Sequence, residues 1–307
     1  MADTLQMKHA APRTGRSLGV FAAFFAIYFL WGTTFLAIRI AVRDVPPIFA
    51  AGTRMFLAGT ILLTFMAIRG AARPTLGQWR SLAIMGVSMF ALDYAFLFWA
   101  EKYLSSGIAA VISATIPLLV VFFEILFRLQ PFRWSAMAAV LLGFCGVSVL
   151  MIPDGRLSVP VLPALGVLVG GCGWALGTVL TKKMPLPSSK PVTAGASMAI
   201  GGLVLLALSA VLGELNPWPH ITRNSALALA YLITFGSLVA YTAYVWLLSH
   251  LPASKVASYA YVNPVVAVIL GYFFAGEIIT SRMLAGAALV LVSVYLILRI
   301  NRQPAKA

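Results

Sequence analysis

Three charged residues stand inside long apolar stretches of this chain: Arg54, Asp93 and Glu124. An ionised side chain at bilayer depth is expensive, so each is a functional candidate by default. Asp93 is the strongest. It lies in Phe90-Ala91-Leu92-Asp93-Tyr94, too far from either end of its stretch for a short side chain to reach water. Such a carboxylate would bind a cationic group or take up a proton. The alternative is neutralisation by Arg54 as a structural pair. Arg54 stands seven residues into the second stretch, about 10 Å along a helix. From there it can snorkel to the surface, pair with Asp93, or hold a substrate carboxylate. Glu124 precedes Arg128 by four residues, and an i,i+4 pair accounts for it.

A second set is aromatic. Trp31 and Trp174 fall near the middle of their stretches, away from the interfacial belts that tryptophan prefers. Ser237, Tyr241 and Tyr244 follow an i, i+4, i+7 stripe, and Tyr259 shares a helix face with Asn263. Tyrosine hydroxyls need partners away from water, so these rings face either a cavity or a neighbouring helix. Trp31, Asp93, Trp174, Tyr241, Tyr244, Tyr259 and Asn263 are therefore the cavity candidates. Asp93 is also the proton-coupling candidate, and Arg54 its candidate charge partner. Pro117 and Pro264 each remove a helical N–H and clash with the carbonyl four residues back, so both mark hinges or kinks.

Other chemistries are poorly served. The three histidines, at 9, 220 and 250, form no ligand spacing, and Cys145 and Cys172 lie in apolar stretches. No metal and no cofactor is expected. There is no GxxxxGK[ST] loop for nucleotide phosphates. No Ser or Cys stands beside a plausible base at depth, so the chain does not read as an enzyme.

The elements that position these residues follow from composition. The 307 residues are 61% hydrophobic and 10% charged, and mean hydropathy is +0.97. A soluble domain carries roughly 25% charged residues. Ten apolar stretches fit membrane helices of about 20 residues: 18–38, 47–68, 82–100, 107–127, 135–152, 160–181, 192–212, 225–247, 256–275 and 282–298. The first is too long for a signal-peptide core and reads as a retained span. The runs are continuous, which disfavours a β-barrel. In the sixth, Gly166, Gly170, Gly173 and Gly177 form two small-xxx-small pairs for helix packing.

The formal charge of +14 is topological rather than a nucleic-acid signal. Of 22 Lys and Arg, fifteen fall on the N-terminal side of the spans and six on the opposite side, with Arg54 embedded. Both termini are expected in the cytoplasm.

The chain also repeats. A shift of 147 aligns spans three to five with eight to ten: Tyr94 with Tyr241, Trp99 with Trp246, Pro117 with Pro264. A shift of 143 places Trp31 on Trp174 and Arg39 on Lys182. Five spans per half is odd, so the halves enter the membrane from opposite sides. The expected fold is an all-α integral membrane protein with ten transmembrane helices in two inverted five-helix repeats. Its parts are a cytoplasmic tail 1–17, repeats 18–152 and 160–299, and a cytoplasmic tail 300–307.

Short motifs in order complete the pattern: Leu30-Trp31-Gly32-Thr33, Ile116-Pro117-Leu118, Asn263-Pro264-Val265, Gly276-Glu277 and Ala285-Gly286-Ala287. On these the chain resembles the ten-helix EamA family of the drug/metabolite transporter superfamily. One departure is Gln130, where the family often has an acid matching Glu277. The resemblance implies a secondary transporter in the inner membrane that exports small metabolites, amino acids or toxic amphiphiles, by alternating access. A passive channel or facilitator is the alternative, and an intramembrane enzyme a weaker one. The implied partners are the lipid bilayer, a small-molecule substrate and protons, with no nucleic acid. Oligomeric state is not legible.

Overall fold

The structure is a computed structural model that describes residues 13–152, 159–251, 256 and 258–300. Sequence features at Lys8, Asp154, Arg156, Lys255, Arg302 and Lys306 lie outside the described residues, as do most of the two expected tails.

The described residues form no strand. Ten helical spans follow one another: α1 (Leu18–Ala41), α2 (Pro47–Ile68), α3 (Leu76–Ala100), α4 (Ser106–Leu126), α5 (Trp134–Met151), α6 (Val161–Leu180), α7 (Lys190–Val211), α8 (Arg223–Leu247), α9 (Tyr259–Ala275) and α10 (Ser281–Ile300). Eight are long and apolar enough to cross a membrane, and α5 and α9 are shorter apolar helices. The helix that includes α1 starts at Arg13, inside the expected tail. α3 starts at Leu76, six residues earlier than its apolar stretch, because Thr75 and Gln78 close a capping box.

The repeat is visible in the backbone. Thr75 caps α3 and Thr222 caps α8, 147 residues apart. Each of these helices then passes through a π-helical segment, 86–92 in α3 and 232–239 in α8, again in register at 147. α1 has its own π-helical segment, Ala26–Leu30, with no counterpart in α6.

Packing follows the same symmetry. α2 lies against α7, its repeat equivalent, and α5 lies against α10. α3 packs on α6 as α8 packs on α1. Small residues make the α2–α7 approach possible. A Cβ on Gly59 would sit 2.3 Å from Ala199 N, and one on Gly202 would sit 2.2 Å from Phe56 N. The glycine face of α6 packs on α3: a Cβ at Gly173 would meet Ser88 O at 2.6 Å, and one at Gly170 would meet Asp93 O at 3.0 Å. Large apolar side chains such as Phe21, Phe65, Phe273 and Leu284 stay exposed, as a lipid-facing surface requires.

Both prolines sit where spacing puts them, with different outcomes. α4 is interrupted at Ala114-Thr115, and its second segment starts at Ile116 with Pro117 in the first turn. α9 continues through Pro264 as one helix. Pro117 falls where N–H groups have no intrahelical acceptor, so the chain restarts there. Pro264 forfeits one bond inside an otherwise intact ladder.

The two faces of the bundle differ. One face carries the chain ends; the other is called distal here. On the distal face, carboxylates of one repeat hold the other. Glu214 accepts from Ile48 N at 3.3 Å and Phe49 N at 2.8 Å at the start of α2, and from Ser209 Oγ at 2.8 Å. Glu277 accepts from Ser106 N (2.7 Å), Ser106 Oγ (3.0 Å) and Gly107 N (3.2 Å) at the start of α4. It also pairs with Arg39 Nε at 3.3 Å. Asp44 accepts from the hydroxyls of Thr222 (2.6 Å) and Ser225 (2.8 Å) at the start of α8. On the terminal face, Glu124 pairs with Lys182. The Glu124–Arg128 pair is therefore a correction: α4 ends at Leu126, and Arg128 adopts φ 56°, off the helix. Lys182 is the repeat equivalent of Arg39. The Arg39–Glu277 pair thus has a counterpart, with its acid moved from the position of Gln130 into α4.

Candidate functional site

A cavity of about 90 Å³ lies between the repeats, walled by α1, α2, α3 and α4 from the first half and by α6 and α9 from the second. Trp31, Arg54, Asp93, Trp174, Tyr259, Asn263 and Pro264 all line it. So do Thr34, Phe35, Tyr94 and Ser113, which spacing alone did not single out. The lining of α4 comes from the stretch on either side of its break. Pro117 itself is not on the wall.

Asp93 is buried, with 8% of its surface exposed. Its backbone and Oδ1 rest against Gly170, where a Cβ would come within 3.1 Å of Oδ1. Its carboxylate makes no hydrogen bond or ion pair among the described residues, and it lines the cavity.

Arg54 departs from both structural expectations. It does not snorkel, being 1% exposed. It is not paired with Asp93 either; the ion pairs among the described residues are Arg39–Glu277 and Glu124–Lys182. Instead Nε donates to Ser237 Oγ of α8 at 3.0 Å. The guanidinium lies over the Tyr94 ring, 4.9 Å from its centroid, and 6.0 Å from that of Phe98. A cation over an aromatic face is stabilised by the ring quadrupole. Nη1 is buried without a partner. Arginine found this arrangement because α8 places Ser237 in its π-helical segment opposite α2.

The aromatic set forms two layers. Phe90, Tyr94 and Trp174 contact one another across α3 and α6, with centroids 5.8–6.4 Å apart. Trp31 meets Tyr259 edge-on at 5.0 Å and Tyr244 at 5.1 Å. Tyr241 lies 6.5 Å from Trp31 and 5.7 Å from Phe90. Tyr241 and Tyr244 are thus a second layer behind the wall, not lining residues. Their stripe on α8 was legible in the sequence, but the rotation of α8 about its axis was not.

The π-helical segments free carbonyls that side chains then satisfy. Trp31 Nε1 donates to Gly236 O in α8 at 3.0 Å. The amide of Asn263 donates to Tyr28 O (3.0 Å) and Ile27 O (3.1 Å) in α1, and to Tyr259 O (3.3 Å). The bonds to Gly236, Tyr28 and Ile27 cross between the repeats. Asn263 therefore lines the cavity while its amide nitrogen is engaged with α1. Glu101 is a further residue that spacing does not single out. It reads as an exposed acid after α3, yet it is fully buried and both carboxylate oxygens lack partners. The available signal was Tyr94, Phe98 and Glu101 at i, i+4, i+7.

A mostly apolar, aromatic-walled cavity between inverted helical repeats, with Asp93 and Arg54 in its wall, defines a class: a ten-helix membrane protein with a cavity at the repeat interface. The comparisons with known proteins agree. The EamA-like transporter family model matches twice, over residues 17–152 and 161–299. The chain belongs to the EamA-like transporter family and is a membrane transporter. It is 37% identical over 269 residues to the uncharacterized inner membrane transporter YedA of Escherichia coli K12, covering 86% of this chain and 85% of that protein. It is 28% identical to protein PecM of Dickeya dadantii, covering 85% of this chain and 86% of that one. A solved crystal structure superposes with a TM-score of 0.63 at 21% identity, covering 95% of this chain and all of that one. At that identity the likeness is one of fold.

Proposed function

We propose that this protein is a secondary transporter that exports small metabolites across the inner membrane by alternating access of its two repeats. Residues 18–152 and 160–299 are the units that rock against each other, and the tails 1–17 and 300–307 lie in the cytoplasm with the cation-rich terminal face. One observation carries this reading: the cavity between the repeats holds Asp93 without a partner and Arg54 with a free Nη1. A buried charge without a partner is costly unless a ligand or proton completes it. Arg54 offers a carboxylate anchor and Asp93 an ammonium or proton site. Trp31, Trp174, Tyr94 and Tyr259 supply apolar and π surface between them. This set favours zwitterionic or cationic amphiphilic substrates, amino acids among them.

Protons are the proposed coupling ion, carried at Asp93. The break in α4 beside Pro117, and Pro264 in α9, border the cavity and supply the hinge points. Reconstituted vesicles under an imposed pH gradient test the reading, with labelled amino acids and ethidium as probes. The wild type should accumulate at least one probe, with a pH-dependent rate. Asp93→Asn should abolish that pH dependence. An unchanged profile would remove Asp93 from the coupling step, and leakage of every probe down its gradient with no response to pH would favour a channel.

A further inference from the structure

Among the described residues, Glu101 is the one buried acid that the proposed cycle leaves unused. It follows the last residue of α3 on the distal face, is wholly shielded from solvent, and has no hydrogen-bond donor for either carboxylate oxygen. Its backbone carbonyl accepts from Arg39 Nη1 at 2.9 Å, so the adjacent guanidinium serves the main chain and Glu277 rather than this carboxylate.

The charged groups facing Glu101 are Arg39 from α1, Arg54 from α2 and Glu277 from the α9–α10 connection. Lys102 beside it is exposed. α6 carries no charged residue, and the single one of α4, Glu124, is at the opposite face. Asp93 lies two turns down α3 and acts on Arg54. The cluster therefore contains two permanent cations and three acids. Fully ionised, it would carry one net negative charge in a largely buried setting, and a single proton would neutralise it. Glu277 accepts three hydrogen bonds and pairs with Arg39, so both of its oxygens are already engaged. The proton belongs to Asp93 or to Glu101.

Arg54 stands between those two positions. Tyr94, Phe98 and Glu101 form an i, i+4, i+7 row on α3. The guanidinium rests on the first two rings of that row, and the third position is the orphaned carboxylate. Nη1, the unpartnered donor, is the complement of the unpartnered acceptor one turn past Phe98. An arginine side chain is long enough to slide along such a row by changing rotamer.

We propose that Glu101 is a second proton-binding carboxylate of the transport cycle and that Arg54 exchanges between the cavity and Glu101. With Arg54 on Tyr94 beside the cavity, Glu101 carries the proton and Asp93 is free to hold a cationic group. With Arg54 on Glu101, the proton leaves Glu101 and Asp93 is protonated instead. Proton release is thereby placed on the distal face, beside the Arg39–Glu277 tie. This rests on the transporter reading above and assigns the proton a second station within it.

The test needs no substrate. The full-length protein is reconstituted in lipid, and its carboxylic-acid C=O stretch is followed by infrared spectroscopy from roughly pH 5 to pH 9. The wild type should show one buried protonated carboxyl. Because removing either acid makes the cluster neutral without a proton, that band should be lost in Glu101→Gln and equally in Asp93→Asn. Glu101→Asp should restore it at a shifted frequency. In vesicles containing a transported probe, Glu101→Gln should lower accumulation driven by a pH gradient by about tenfold, with Glu101→Asp recovering most of it. A merely structural Glu101 would leave the band in a folded Glu101→Gln protein, and that result overturns the proposal. So does a wild type without the band. Neither result bears on whether the wild type accumulates the probes, which tests the transporter reading separately.

Discussion

The distal and terminal faces of this bundle are built from related helices yet held together differently. On the distal face three carboxylates, Asp44, Glu214 and Glu277, each reach across to a helix start in the other repeat. A carboxylate there satisfies orphan N–H groups and complements the helix dipole, with little side-chain entropy lost. On the terminal face the ties among the described residues include Glu124–Lys182, with Lys182 half exposed, the Tyr28–Ser258 hydroxyl pair at 2.6 Å, and single bonds from Gln78 to Leu186 O (3.3 Å) and from Arg133 to Ile300 O (3.4 Å). In the proposed alternating-access cycle the repeats exchange conformations, which requires that the two faces not be equally tied at one time. The difference teaches that this structure is zipped on the distal side.

The largest test removes the distal lock. Glu277→Ala leaves Arg39 and the α4 N-terminus without their anion and should cost about 3 kcal/mol, as loss of one partner from a buried pair does. A thermal unfolding series in detergent checks this. The distal ends of α1 and α4 should also become reactive towards a thiol reagent at introduced cysteines. Glu214→Gln keeps one acceptor oxygen for the α2 N-terminus while removing the charge. Its expected cost is about 1 kcal/mol, read in the same melts. Lys182→Met breaks the terminal-face pair and should change stability by less than about 1 kcal/mol, because one partner is solvated. If it costs more than Glu277→Ala, the comparison of the faces is reversed.

The smallest effect is one of pH. Hydroxyl hydrogen bonds from Thr222 and Ser225 hold the Asp44 carboxyl below the usual carboxylate range. A group whose folded value is depressed contributes above its unfolded value and loses that contribution as pH falls through the folded one. The stability difference between wild type and Asp44→Asn should therefore be present at neutral pH and vanish below the depressed value. A difference that persists at strongly acid pH would show that Asp44 acts by packing alone.

Much of the fold was legible because the bilayer imposes a local rule. Each span needs its own continuous apolar run, so span positions can be read one at a time. The same holds for the Thr75 and Thr222 caps, whose spacing of 147 residues repeats in the chain itself. A place on the cavity wall was legible where burial of a polar or aromatic group is costly: Asp93, Arg54, Trp31, Trp174 and Tyr259 all line it. Partner choice was not. Tyr241 and Tyr244 fell behind Trp31 because the axial rotation of α8 depends on its neighbours. Glu101 escaped notice because an acid just past a span looks solvated until another loop closes over it.

The sequence by itself determined the ten spans, the repeat and the asymmetry of positive charge between faces. These follow from hydropathy and side-chain type, properties that each segment carries alone. Tertiary structure decided which groups meet: Arg54 with Ser237 and Tyr94 rather than Asp93, Glu124 with Lys182 rather than Arg128, Asn263 with the π-helical carbonyls of α1. Hydrogen bonds and ion pairs act over a few ångströms between helices far apart in sequence, so they are settled only when the helices have docked.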